Sequence, residues 1–203
     1  MLITKVILII LIKTNMQERI YLRRLKISDI NNKYLSWVND PSITEYLEIG
    51  KQQFLYSDLV RYVKDSPKKG RYNYAIVTKH SENHIGNCSI YSIKSDDKTF
   101  EMGWLIGEQK FWGGHYSSMV IFNLLKIGFI EMGLERCIGG VNKKHIKARM
   151  TNKFSGFKEK KIESRYLEKE NKNITEIKLE ISKKDWLKNA ELLSFQHPDL
   201  YEV

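Results

Sequence analysis

The stretch Lys110-Phe111-Trp112-Gly113-Gly114-His115-Tyr116-Ser117-Ser118 constrains this chain more than any other. It separates a strand-like run over 100–106 from a long apolar, helix-like run over 119–132. A paired-glycine turn at the mouth of a helix leaves several backbone N–H groups without intrahelical partners, at the positive end of the helix dipole. That end suits an anion such as phosphate or pyrophosphate. Glycine there permits close backbone approach and conformations that other residues avoid. The remaining elements have to be arranged around this strand–turn–helix unit.

A chain of 203 residues suits one domain with a sizeable core. Apolar and charged fractions of 42% and 29% set aside the disordered, collagen-like and repeat classes. Lys+Arg number 34 against 24 Asp+Glu, and the net charge of +10 favours anionic ligands without naming one. Cys88 and Cys137 sit inside apolar runs with neither metal-ligand spacing nor a disulfide framework, which suits a reducing cytoplasm. Of the histidines only His80 and His84 are four apart, and they flank a polar turn, so no metal is expected.

The segment 1–15 is an apolar extension. Its uninterrupted run over 6–12 is too short to span a bilayer, and no signal-peptide cleavage site follows, so no stable membrane insertion is expected. It reads as the product of an upstream start codon, with an extra strand and a weak membrane-surface anchor as the other readings. Residues 16–185 are taken as a single domain and 186–203 as a C-terminal helix and tail.

Along the chain, 19–26 reads as a strand. Ser28-Asp29 then caps a helix bearing Ile30, Tyr34, Leu35, Trp37 and Val38, which Asn39-Asp40-Pro41 stops. A short helical segment at 44–47 and a helix at 53–63 follow, the latter with Leu55, Leu59, Val60 and Val63 as its apolar face. Strands at 72–78, 84–93 and 100–106 form a meander. The long helix runs to 132, with Gly133 as its cap. A strand at 137–141, a basic helix at 145–154 and a hairpin of 158–167 with 174–181 come next, turning at Asn171-Lys172-Asn173. An amphipathic piece at 186–193 precedes a polar tail. The order implies an α+β (mixed α/β) fold with helices on both faces of a central sheet.

This order, with the glycine turn after the fourth strand, resembles the GNAT superfamily of N-acetyltransferases, and within it the RimJ/RimL type. Leu35-Ser36-Trp37-Val38-Asn39-Asp40-Pro41-Ser42-Ile43-Thr44 is similar to the family's opening helix and Asn-Asp-Pro turn. His84-Ile85-Gly86-Asn87 resembles its third strand and Phe100-Glu101-Met102-Gly103-Trp104-Leu105-Ile106-Gly107 its fourth. Trp112-Gly113-Gly114-His115-Tyr116-Ser117-Ser118 lies where the family carries Trp-Gly-x-Gly-Tyr-Ala-Thr. The resemblance implies a twisted mixed sheet of about seven strands. It also implies acetyl-coenzyme A bound in a splay between the fourth and fifth strands. Pantetheine amides would meet the backbone near Leu105 and Ile106. The pyrophosphate would meet Gly113, Gly114, His115, Tyr116, Ser117 and Ser118, with Lys110 adding charge and His145 approaching from the following helix. Asn39, Asp40 and Tyr46 would form the acceptor side. The chain departs from the family at His115, which replaces a glycine, at His145 and Ala148 for Asn and Ser, and at Asn152 for a thiolate-protonating Tyr.

Acetyl transfer to an amine needs a neutral amine, a stabilised carbonyl oxygen and a departing thiolate. Glu101, on the fourth strand, is the candidate base, acting through water, and a fourth-strand N–H would stabilise the oxyanion. No protein nucleophile is required, and no Ser/His/Asp or Cys/His signature is present. Trp104 and Trp112 read as packing residues. The expected activity is N-acetylation of a small-molecule or peptide amine, with a nucleotide-linked amino sugar of surface-polysaccharide synthesis favoured by analogy. A protein N-terminal amine, a polyamine or a drug are the alternatives, as is a binding module without catalysis. A homodimer is compatible with this reading. The basic run Lys143-Lys144-His145-Ile146-Lys147-Ala148-Arg149 reads as a solvated helix face, and no nucleic-acid partner is expected.

Overall fold

Seven strands form one sheet in the order β1-β2-β3-β4-β5-β7-β6. The computed structural model describes residues 19–47, 52–113, 115–167, 171–198 and 201. The strands are β1 (Ile20–Arg24), β2 (Tyr72–Thr78), β3 (His84–Lys94), β4 (Thr99–Ile106), β5 (Arg136–Asn142), β6 (Lys158–Leu167) and β7 (Lys172–Ser182). Every neighbouring pair is antiparallel except β4 with β5. A parallel junction requires a crossover, and the glycine turn and long helix supply it.

Alternation along β4 divides the interior. Phe100, Met102, Trp104 and Ile106 belong to the main core, with Met119, Val120, Ile121, Leu124 and Leu125 of α4 (Tyr116–Lys126). Leu105 belongs instead to a smaller cluster of Ile30, Tyr34, Trp37, Val38 and Leu59. That cluster is built by α1 (Asn32–Asn39) and α3 (Tyr56–Asp65), joined through the single turn α2 (Pro41–Thr44). A π-helical turn, Ile127–Glu131, extends α4, and Gly133 follows at φ 68°. α5 (Ile146–Phe154) and α6 (Lys183–Gln196) complete the fold.

Several local expectations change. Ile27–Asp29 form a 3₁₀ turn, and Asn31 caps α1, its side-chain oxygen accepting from the Tyr34 N–H at 3.0 Å. Asp40 and Pro41 begin α2 rather than only stopping α1, because proline is tolerated at the first helical position. Leu55 precedes α3 and is 62% exposed, so it is no part of an apolar face. Lys172 and Asn173 already pair with Leu167 and Tyr166, which places the reversal earlier than 171–173. The C-terminal segment is not simply a polar tail, since Tyr201 is 2% exposed within the main core. The expectations for 1–15 lie outside the described residues. Among the described residues no helix is long and apolar enough to cross a membrane.

Glu176 on β7 is buried, where Arg165 of β6 donates to it at 2.9 Å and Lys178 donates to its other oxygen. Burial alone would raise its pKa, but the hydrogen bonds from Lys178 and then Arg165 outweigh this and hold it below the usual carboxylate range. A depressed folded pKa contributes stability above the unfolded value of about 4.3, lost as pH falls through the folded value. Glu176→Gln should therefore destabilise the fold by roughly 1 kcal/mol at pH 7, its partners being partly exposed, and by less at pH 3, measured by urea unfolding.

Candidate functional site

β4 and β5 pair only at Thr99 with Arg136 and Phe100 with Cys137. Beyond that point β5 stays with β7 as far as Asn142, and a gap opens beside β4. The Gly107 N–H bonds the Ile85 carbonyl at 2.9 Å, which fixes the phase of the ladder. By alternation Glu101, Gly103 and Leu105 direct their main-chain groups to β3, while Met102, Trp104 and Ile106 turn theirs to the gap. Unpaired strand edges of this kind suit an extended, amide-bearing ligand. Of the two residues expected to contact pantetheine, Leu105 thus commits its main chain to β3. Ile106 faces the gap, but its carbonyl already accepts from Trp112 Nε1 at 2.8 Å, leaving one lone pair. Trp112 is 41% exposed and ties the turn to the end of β4, a role that its sequence context did not signal.

In the turn, Gly113 adopts φ 88°, and an added Cβ would meet nothing within 4 Å. A side chain would thus be excluded by backbone conformation rather than by crowding. Gly114 lies outside the described residues. His115 is the N-cap of α4 at φ −98° and ψ 4°, a conformation open to residues with a Cβ, so replacing glycine here brings no left-handed strain. Its imidazole packs against His197 (ring centroids 4.6 Å apart) and Phe154 (5.4 Å), and its Nδ1 lies 3.2 Å from the Tyr201 hydroxyl. Burial, and then His197, hold its pKa below the usual range, so at neutral pH it brings no full charge to the turn. Tyr116, Ser117 and Ser118 open α4, where helix geometry leaves the N–H groups of Ser117 and Ser118 without intrahelical partners. Lys110 is exposed with its ammonium 5.1 Å from the Phe111 ring centre, and that ring meets Tyr116 edge-on at 5.0 Å.

Glu101 stands one residue beyond the last β4–β5 pair, at the fork of the gap. It is half-buried, and among the described residues no hydrogen bond or ion pair engages its carboxylate. Its cross-strand partner is Tyr91, whose ring edge lies 3.5 Å from where a Cβ on Gly103 would be. The Arg71 guanidinium sits 3.9 Å from the Tyr91 ring centre and donates to Ser89 Oγ at 2.8 Å. Tyr91 and Arg71 line a cavity of about 540 Å³ with Arg61, Lys69, Asp58 and Asp65. Neither Tyr91 nor Arg71 drew notice in the sequence, where no motif marks them.

The expected acceptor-side residues divide. Asn39 exchanges hydrogen bonds with the Phe54 main chain at 3.0 and 2.7 Å, and Asp40 accepts from the Ser42 N–H at 2.8 Å. Both side chains therefore organise the backbone. Tyr46 stacks on His145 with centroids 4.3 Å apart and planes at 15°, joining the segment after α2 to the start of α5. Burial lowers the His145 pKa first of all. Asn152 is buried and donates to the Ala148 carbonyl at 2.9 Å. Among the described residues no group of three His, Cys, Asp or Glu could hold a metal ion.

Residues 19–158 match the family described as the acetyltransferase (GNAT) domain. The chain is 26% identical over 122 residues to an uncharacterized N-acetyltransferase p20 of Bacillus licheniformis, covering 59% of this chain and 67% of that protein. In fold it is similar to a spermidine N-acetyltransferase of Vibrio cholerae solved with CoA and spermine. The TM-score is 0.74 at 17% identity, over 83% of this chain and 98% of the other. It is also similar to a GNAT-family acetyltransferase of Bacillus anthracis, with a TM-score of 0.71 at 18% identity over 82% and 96% of the two chains.

Trp112→Phe keeps the ring and removes the indole N–H. It should weaken CoA binding by roughly threefold with little change in melting temperature, read by calorimetric titration and thermal unfolding.

Proposed function

The chain belongs to the GNAT acetyltransferase family and is an acyltransferase, and on that premise we propose that it acetylates a primary amine within a ternary complex, with Glu101 as base. The observation that carries this reading is the position of Glu101, at the fork where β4 loses β5 and its main-chain edge becomes free. The residues present fit acetyl-coenzyme A. Met102, Trp104 and Ile106 offer a strand edge, and Gly113 with the first turn of α4 offers N–H groups for the pyrophosphate. When bound, the thioester would supply the acyl group, its C–S bond breaking as the amide C–N bond forms and coenzyme A leaving as the thiolate. A β4 N–H facing the gap polarises the carbonyl oxygen. Glu101 takes up, through water, the proton that the acceptor amine loses. Because Glu101 and Tyr91 share one sheet face, the acceptor approaches from the cavity beside Tyr91.

For the acceptor we favour an amine carried on an anionic body, a nucleotide-linked amino sugar. Three cationic side chains, Arg61, Lys69 and Arg71, line the cavity against two carboxylates, and Arg71 is braced on an aromatic face. A polyamine is the second reading. Asp58 and Asp65 favour it, and the Vibrio cholerae neighbour is a spermidine N-acetyltransferase. Two buried free thiols, Cys88 and Cys137, fit a reducing compartment.

Coenzyme A release should be fastest with nucleotide-linked amino sugars among a panel including N-terminal peptides and polyamines. A polyamine in first place would overturn the acceptor assignment. Glu101→Gln should lower kcat by roughly 10²-fold while leaving CoA affinity intact, and unchanged turnover would remove Glu101 from the mechanism.

A further inference from the structure

The C-terminal segment reaches the first turn of α4 and closes a ring of hydrogen bonds there. The Ser118 hydroxyl donates to the His115 carbonyl at 2.8 Å. Its single proton is thereby used, so the contact of 2.6 Å between Ser118 Oγ and the Tyr201 hydroxyl has Tyr201 as donor. The Tyr201 proton is then used in turn, and the 3.2 Å contact with His115 Nδ1 requires the imidazole to donate. The circuit runs from the His115 imidazole to Tyr201, to Ser118, and back to the His115 carbonyl. Each hydroxyl donates once and accepts once, the arrangement in which hydrogen bonds polarise one another. Neutral imidazole with its proton on Nδ1 and imidazolium both preserve it.

The circuit closes on the N-cap residue of the helix whose first N–H groups form the anion-binding turn. The His115 carbonyl also accepts from the Met119 N–H at 2.8 Å, so the Ser118 hydroxyl, held by Tyr201, and the first helical bond converge on one peptide group. Tyr201 is held for this purpose from its own side. Its ring packs on Phe122 at 5.1 Å, and its N–H bonds the His197 carbonyl at 3.2 Å. His197, which follows α6, lays its ring against His115.

We infer that Tyr201 is a positioning residue for the coenzyme, fixing the His115 peptide so that the opening N–H groups of α4 are preorganised for the pyrophosphate. The C-terminal segment is then part of the donor site, although it lies beyond the family match at 19–158. Preorganised donors lose less freedom on binding than mobile ones, so the contribution appears in coenzyme affinity. It rests on the acetyltransferase reading only in taking coenzyme A as the ligand.

The test is Tyr201→Phe in the full chain. It keeps the ring on Phe122 and removes the hydroxyl that links Ser118 to His115. Calorimetric titration with CoA should show affinity weakened roughly three- to tenfold. The KM for acetyl-CoA should rise in parallel while kcat at saturation stays within about twofold. Ser118→Ala should likewise weaken CoA affinity, and the double variant should bind CoA no more weakly than either single one, because both break one circuit. A purely structural tyrosine would lower the melting temperature of the free protein and leave CoA affinity and KM unchanged, which would overturn the inference. Additive losses in the double variant would overturn the circuit. Wild-type chain that binds no CoA would overturn this inference together with the proposed function, whereas wild-type binding undisturbed in Tyr201→Phe would overturn this inference alone.

Discussion

The parting of β4 from β5 after Phe100 and Cys137 is the constraint on which the site depends. A parallel strand pair cannot be joined by a tight turn, so β5 must be reached through a crossover, here the turn at 107–115 and α4. The crossover puts a helix N-terminus at the end of β4. The short ladder leaves β4 with main-chain groups that β5 does not take. The loss of ladder bonds is tolerable because β5 is paired along its whole length with β7 on the other side. An extended ligand ending in phosphates, as proposed, would then meet a strand edge at one end and a dipole at the other.

How the turn is held to the sheet follows from two non-glycine residues. Trp112 donates its indole N–H to the last carbonyl of β4. His115, in a conformation that needs no glycine, sends its imidazole to the C-terminal segment. The residue at the family's glycine position therefore stands locally at the N-cap without a capping hydrogen bond from its side chain, and its imidazole acts distantly as an anchor. Its meaning is set by Tyr201 and His197, more than eighty residues away in the chain.

Much of this was legible in the sequence because it is written in local periodicity. The meander, the glycine turn and the long apolar helix are runs whose pattern specifies their element, and β2 is bounded at 72–78 as the pattern predicts. Caps were less legible. Ser28 and Asp29 carry cap chemistry as Asn31 does, and only the chain's path selects Asn31. The strand–turn–helix unit around the candidate site was legible, because glycines and hydrophobic alternation can be read from short windows, whereas which β4 residues turn their main-chain groups to the gap was not. Nor was the site legible where side chains meet across the fold. The stack of Tyr46 on His145, the brace of Arg71 on Tyr91 and the burial of Tyr201 each join distant segments. The assignment of Leu105 turned on ladder phase, which only the bond from Gly107 to Ile85 fixes.

The electrostatics of the two halves differ in a way that the net charge of +10 conceals. At the turn, His115 is held neutral by burial and its neighbour His197, and the positive potential comes from oriented peptide dipoles with Lys110 at the rim. Dipoles fixed by hydrogen bonds need no counter-ion and no desolvation of a mobile cation. The cavity beside Tyr91 works otherwise, because its charge is carried by side chains of both signs. Arg71 contributes there as a flat cation already supported on a ring and a hydroxyl, so little freedom remains for a ligand to remove. Glu101 stands at the fork, one residue beyond the last β4–β5 pair. On the proposed mechanism one domain would hold a polyanionic donor and still lower the charge of an incoming ammonium, because the positive groups act at the ends and the Glu101 carboxylate, uncommitted among the described residues, acts at the fork.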